Sequence, residues 1–264
     1  MLLKRIVVSL IAIPLLYLCL TELPPVYFLA LMVLVSALAQ YEFHAMYKTP
    51  RIISALGIAG GIALLTSFYF TAPPDIRAYP LMALIISILC ITSARLFSSK
   101  DPASALKDIT PAVVGIIYIP LLAAPMWLLR LAGYEWIILL LVSVWTADTF
   151  AFFIGSKFGK RRLYREISPN KTVAGAVGSV AGGVIASVIT GILLIKDLGL
   201  PGLILIGTAL GSVTIVGDLV ESMFKRDAGI KDSGSLIPGH GGVLDRIDSI
   251  LFAAPTLYIL RNLL

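Results

Sequence analysis

The sequence predicts an all-α fold: a polytopic helical membrane protein with about nine transmembrane helices and its N-terminus in the cytoplasm. Three observations carry that expectation. Of 264 residues, 58% are hydrophobic and only 14% charged, against roughly 45–50% and about 25% in an ordinary soluble domain. Mean hydropathy is +0.96. The apolar residues fall in stretches close to the ~20 residues a helix needs to cross a hydrocarbon core about 30 Å thick. Too few polar residues remain to clothe a soluble enzyme. The same composition excludes a disordered chain, a disulfide scaffold and a fibrous protein. Cys19 and Cys90 sit inside apolar runs without metal-binding or redox spacing, and read as small buried hydrophobes.

In chain order the candidate spans are Ile6–Leu23, Val26–Met46, Ile53–Phe70, Tyr79–Phe97, Pro111–Leu129, Trp136–Ile154, Val173–Ile195, Leu203–Phe224 and Ile247–Leu264. The first lacks a small-residue cleavage site and runs through Glu22-Leu23-Pro24-Pro25 into the second, so it reads as an uncleaved helix. With this count, Arg77, Arg130, Lys196 and Arg261 fall on one side, and all the other lysines and arginines among the 21 fall on the side of the N-terminus. Basic loops stay in the cytoplasm, which orients the chain. The net charge of +6 is then a topology signal and an attraction to anionic lipid heads. No soluble basic surface is left for nucleic acid.

The chain divides at about residue 135. Residues 1–135 hold about five spans of ordinary membrane helix. Residues 136–264 form the catalytic region, with two cytoplasmic motif loops at 155–172 and 225–244. In the first part Glu42, with His44 beside it, reads either as a side chain snorkelling to the interface or as a contributor to a site. Gly57 with Gly61, Gly178 with Gly182 and Gly207 with Gly211 form small-xxx-small pairs, suited to close helix packing within one chain or across a dimer.

In the second part, acids enter apolar helices: Asp148, Asp218, Glu221, Asp245 and Asp248. Each such charge costs about 2.5–3.5 kcal/mol or more at membrane depth unless it faces a cavity and a partner. Asp218 and Glu221 are three apart, as are Asp245 and Asp248, so each pair lies on one helical face. Two such helices can converge three or four carboxylates, a hard-oxygen set suited to Mg²⁺ or a similar cation.

The loops supply the opposite charge. In the first, Ser168-Pro169-Asn170-Lys171-Thr172 leads into a helix N-terminus and reads either as a solvated positive-inside loop or as an anion site, where free amides and the helix dipole favour phosphate. It is not a Walker A loop. In the second, Lys225, Arg226, Lys231 and Arg246 can meet phosphate oxygens, and His240, among glycines, suits phosphate contact or proton transfer. Anionic substrate, cation and cationic clamp together point to phosphoryl or nucleotidyl transfer at a membrane surface.

The stretch from Ser222 to Asp248 resembles the signature of the phosphatidate cytidylyltransferases, or CDP-diacylglycerol synthases. The matching positions are Ser222, Lys225-Arg226, Lys231-Asp232, Gly234, Pro238, His240-Gly241-Gly242, Asp245-Arg246 and Asp248. Trp145-Thr146-Ala147-Asp148-Thr149 and Ser168–Thr172 are similar to further family blocks. The motif-bearing resemblance covers about residues 140–250 and implies transfer of CMP from CTP to phosphatidate, giving CDP-diacylglycerol and pyrophosphate for phospholipid synthesis. It further implies Mg²⁺, alone or with a second cation, and a homodimer in the cell membrane with an active site facing the cytoplasm. Carried over position by position, it puts Asp218 and Asp245 on the metal with Asp248 and Asp148 as partners. Lys225, Arg226 and His240 join the catalytic set. Ser168, Asn170, Lys171, Thr172, Lys231, Asp232 and Arg246 are the substrate-binding candidates. Three readings compete: a CTP-using polyprenol kinase, a CDP-alcohol phosphatidyltransferase, whose spaced aspartate motif this chain lacks, and an ion-coupled transporter, which would place its acids nearer the midplane.

Overall fold

The structure, a computed structural model, describes residues 13–71, 78–98, 101–195, 198–234 and 241–264. The first expected span lies partly outside these; within them residues 13–21 are helical (α1). There follow α2 (Pro25–Met46), α3 (Arg51–Ser67), α4 (Tyr79–Ser98), α5 (Ala105–Ile116), α6 (Leu122–Ala132), α7 (Tyr134–Phe158), the strands β1 (Arg162–Tyr164) and β2 (Ser168–Thr172), then α8 (Val173–Leu194), α9 (Leu200–Asp227) and α10 (Leu244–Leu263). Among the described residues, 7 helical segments are long and apolar enough to cross a membrane. α10 is not among them: Asp245, Arg246, Asp248 and Arg261 spread four charges along its 20 residues.

Two expected boundaries move. The fifth span starts earlier and ends later, covering Ala105–Ala132, with a π-helical turn at Ile117–Leu121 between α5 and α6. Pro120 and Pro125 each withhold a backbone N–H there, and a wider turn is how a helix absorbs that loss without breaking. α9 runs 28 residues, about 42 Å at 1.5 Å per residue, longer than a hydrocarbon core about 30 Å thick requires. The first motif loop also contains a β-hairpin. β1 and β2 pair antiparallel, Arg162 opposite Thr172 and Tyr164 opposite Ser168, with a bulge between.

The described residues form two compact units. The first draws on Met1–Trp127 and Asp232–Asp245. Its core is Ile53, Leu64, Ile91, Ala112 and Ile116, from α3, α4 and α5. At the α4–α5 turn Arg95 is buried and satisfied: Nε donates to Asp108 Oδ2 at 2.7 Å, and Nη2 to the carbonyls of Asp101 and Ala103. Gly57 and Gly61 pack inside this unit. A Cβ at Gly57 would meet the His44 ring at 2.7 Å, and one at Gly61 would meet Gln40. Glu42 and His44 do not snorkel: they are 2% and 1% exposed. His44 Nδ1 lies 3.1 Å from Ser54 Oγ.

The second unit draws on Leu128–Lys231 and Arg246–Leu264. Here α8 is flanked by α7 and α9 through small residues. A Cβ at Gly182 would meet the Thr146 carbonyl at 2.8 Å; one at Gly183 would meet the Gly207 carbonyl at 2.5 Å. Ser179 Oγ donates to the Gly211 carbonyl and Ser187 Oγ to that of Leu203, both at 2.8 Å. Backbones that approach this closely gain dispersion and cross-helix hydrogen bonds, the forces left when the solvent is lipid. The small-residue pairs are thus used within one chain. Large apolar side chains point outward instead: Ile185, Ile189, Ile192 and Leu193 on α8, and Leu81, Ile85, Ile86 and Leu89 on α4. Such surface belongs against lipid. Cys90 also faces outward on α4, contrary to its buried reading, whereas Cys19 is buried.

Candidate active site

In the second unit α9 and α10 touch at backbone distance. A Cβ at Gly217 would lie 2.7 Å from the Asp248 carbonyl, and Ser249 Oγ donates to the Thr214 carbonyl at 3.2 Å. That approach brings together the acids on the facing sides. Asp218, Glu221 and Asp248 each offer a carboxylate oxygen, and these oxygens lie within 4.8 Å of one another. Glu221 is 1% exposed, Asp248 is 9% exposed and Asp218 is half-buried. Three negative charges so close repel strongly unless cations offset them.

Two ammonium groups do so in part. Lys171 Nζ stands 2.6 Å from Asp218 Oδ2, and Lys225 Nζ 2.6 Å from Glu221 Oε2. Lys225 reaches its partner along one helix face, at i,i+4. Lys171 comes from β2, just before α8. The next residue, Thr172, caps that helix by accepting from the Gly175 N–H at 3.1 Å. Ser222 Oγ lies 3.3 Å from Asp218 Oδ1, consistent with donation to that carboxylate. Arg226, at the end of α9, donates to the carbonyls of Ile167 and Ile230 and so ties the helix end to the hairpin.

Of the sequence candidates, Asp218, Asp248, Lys171 and Lys225 therefore meet. Glu221 joins them, although the resemblance gave it no role; its three-residue spacing from Asp218 was the signal. Asp148, exposed on α7, stands outside the three but feels the charges of Asp218 and Lys171. Ser168 is half-buried on β2, and Asn170, Lys231, Asp232 and Arg246 are exposed. Asp245 belongs to the first unit, where its Oδ2 accepts from the N–H groups of Gly242 (3.0 Å) and Ser233 (3.4 Å). His240 and Pro238 lie outside the described residues.

A bundle of long apolar helices holding a carboxylate cluster under two lysines suits a membrane transferase acting on anionic phosphate groups. The chain belongs to the cytidylyltransferase family, whose family model matches residues 3–264. It is 38% identical over 213 residues to the phosphatidate cytidylyltransferase of Staphylococcus saprophyticus, covering 80% of this chain and 78% of that one. The enzyme of the same name from Staphylococcus haemolyticus is 31% identical over 258 residues, 98% of this chain and 96% of the relative. That of Bacillus subtilis is 47% identical over 134 residues, 50% and 49% of the two chains.

Proposed function

We propose that this protein is a phosphatidate cytidylyltransferase of the cell membrane, with its site open to the cytoplasm. The observation that supports this most is the Asp218–Glu221–Asp248 cluster with Lys171 and Lys225 against it, in a chain similar to enzymes of that name along nearly its whole length.

In the reaction a phosphate oxygen of phosphatidate forms a bond to the α-phosphorus of CTP. The bond from that phosphorus to the β-phosphate bridging oxygen breaks, and pyrophosphate leaves with the electron pair. The nucleophile is already anionic, so positioning and charge neutralisation dominate over general-base chemistry. The donor set fits a hard divalent ion: three carboxylates and no competing sulfur or imidazole among them. Asp218, Glu221 and Asp248 would hold Mg²⁺, with Asp148 and Asp245 as further candidates. When bound, Mg²⁺ supplies charge neutralisation on the phosphates and stabilises the leaving pyrophosphate. Lys171 and Lys225 offset the charge of the cluster and are the ammonium groups that would turn to phosphate oxygens. Arg226, Lys231 and Arg246 extend the positive rim, with His240 and Ser168 to Thr172 as further phosphate contacts. A homodimer belongs to the same reading.

One assay tests it. Purified protein receives CTP, phosphatidate and Mg²⁺, and lipid-linked cytidine and pyrophosphate are followed, with Asp248→Asn as control. Equimolar CDP-diacylglycerol and pyrophosphate, lowered at least about a hundredfold in the variant, is the expected result. Release of CDP with phosphorylation of a polyprenol would move the protein to the kinase reading.

A further inference from the structure

Glu42 lies outside the family signature, on α2 in the first unit, and is 2% exposed. Its Oε2 accepts from the Leu244 N–H at 2.9 Å and lies 3.5 Å from Ser233 Oγ. The signature residues are shaped around it. A Cβ at Gly234 would strike Glu42 Oε1, and one at Gly242 would strike Ser233 Oγ and come within 2.7 Å of Glu42 Oε2. Ser233 also faces the other way: its N–H donates to Asp245 Oδ2, which Gly242 N–H shares. One buried carboxylate therefore holds two separated points of the second motif loop, Ser233 and Leu244, and its contacts continue through Ser233 to Asp245. A buried charge is retained against its desolvation cost only where hydrogen bonds of this kind repay it.

We infer that Glu42 is a positioning residue for the reaction, fixing the backbone at Ser233–Gly234 and Gly242–Leu244 and through it the carboxylate of Asp245. This rests on the proposed function for its kinetic consequence, not for the hydrogen-bond network itself. Glu42 touches no substrate; it acts by keeping Asp245 in one orientation. A small misplacement of a reacting group can cost about a hundredfold in rate.

The test compares the full-length protein with Glu42→Ala, Glu42→Gln, Ser233→Ala and the Glu42→Ala/Ser233→Ala double variant, each monodisperse in detergent. Glu42→Ala is expected to lower kcat about ten- to a hundredfold with the KM for CTP changed less than about threefold. Glu42→Gln keeps an acceptor oxygen and should recover about half of the parent rate. The double variant should be no worse than Glu42→Ala, because both residues act through one network. Hydrogen-exchange mass spectrometry should show residues 241–245 exchanging faster in Glu42→Ala while α2 keeps its protection. An unchanged kcat in Glu42→Ala, equal losses in Ala and Gln, or losses that multiply in the double variant would each overturn the inference. If Glu42→Ala fails to fold, Ser233→Ala decides: normal exchange at 241–245 with normal kcat refutes the clamp. A parent protein that makes no CDP-diacylglycerol sinks the proposed function instead, and exchange alone then judges the network.

Discussion

Glu221 pairs with Lys225 at 2.6 Å while almost wholly buried, and removing one member of such a pair strands the other. Glu221→Gln should therefore lower thermal stability and raise the Mg²⁺ needed for half-maximal turnover about tenfold, measured by a magnesium titration at saturating CTP. Lys171 is more accessible, and its ammonium pairs with Asp218 Oδ2. Lys171→Ala should raise the KM for CTP about tenfold with a smaller change in kcat; an unaltered KM would remove β2 from the nucleotide site. The three-residue spacing of Asp218 and Glu221 on α9 is legible in sequence because helical geometry is local, whereas of the α10 pair only Asp248 joins the cluster. The role of Glu42 was not. Its partners lie 191 and 202 residues away, and a lone glutamate near a span end has the same sequence signature whether it snorkels or is buried.

At the scale of elements, the short β-hairpin is the piece that hydropathy leaves out. Its residues are mostly polar and basic, so the segment reads as loop, and the pairing of Arg162 with Thr172 and of Tyr164 with Ser168 reveals the strand register. Thr172 then serves two elements, ending β2 and capping α8. Thr172→Ala should cost about 1 kcal/mol of stability, seen as a lower unfolding temperature in detergent, while the neighbouring Lys171 contact with Asp218 loosens. The span formed by α5 and α6 runs beyond its apolar stretch for a related reason. Hydropathy marks where apolar residues are dense, whereas Asp108 extends the helix outward because Arg95 satisfies it.

For the whole molecule, composition and span length made the all-α membrane class legible, since lipid permits few alternatives. The number of crossings rests on a charge pattern rather than on packing, and it has a direct test. Asn170→Cys should react with an impermeant thiol reagent from the cytoplasmic side, and a tag after Leu264 should be reached from the opposite side. Protection of that tag would refute nine crossings. Chelation gives a second global check. EDTA should abolish turnover and added Mg²⁺ should restore it, with helix content by circular dichroism unchanged, because three carboxylates and two lysines leave the helices packed without the ion.

The seam between α8 and α9 has a consequence for how the sequence can drift. At Gly183, Gly207 and Gly211 the nearest obstacle to a methyl group is backbone, at 2.5–2.6 Å, so not even alanine fits without the helices parting. Outward positions such as Ile185, Ile189 and Ile192 are exposed, so most apolar replacements should be accommodated there. In a saturation library the two helices would show a barcode, closed at the glycines and permissive a few residues on. The closed positions would touch no substrate, yet they set the spacing of Lys171 from Asp218.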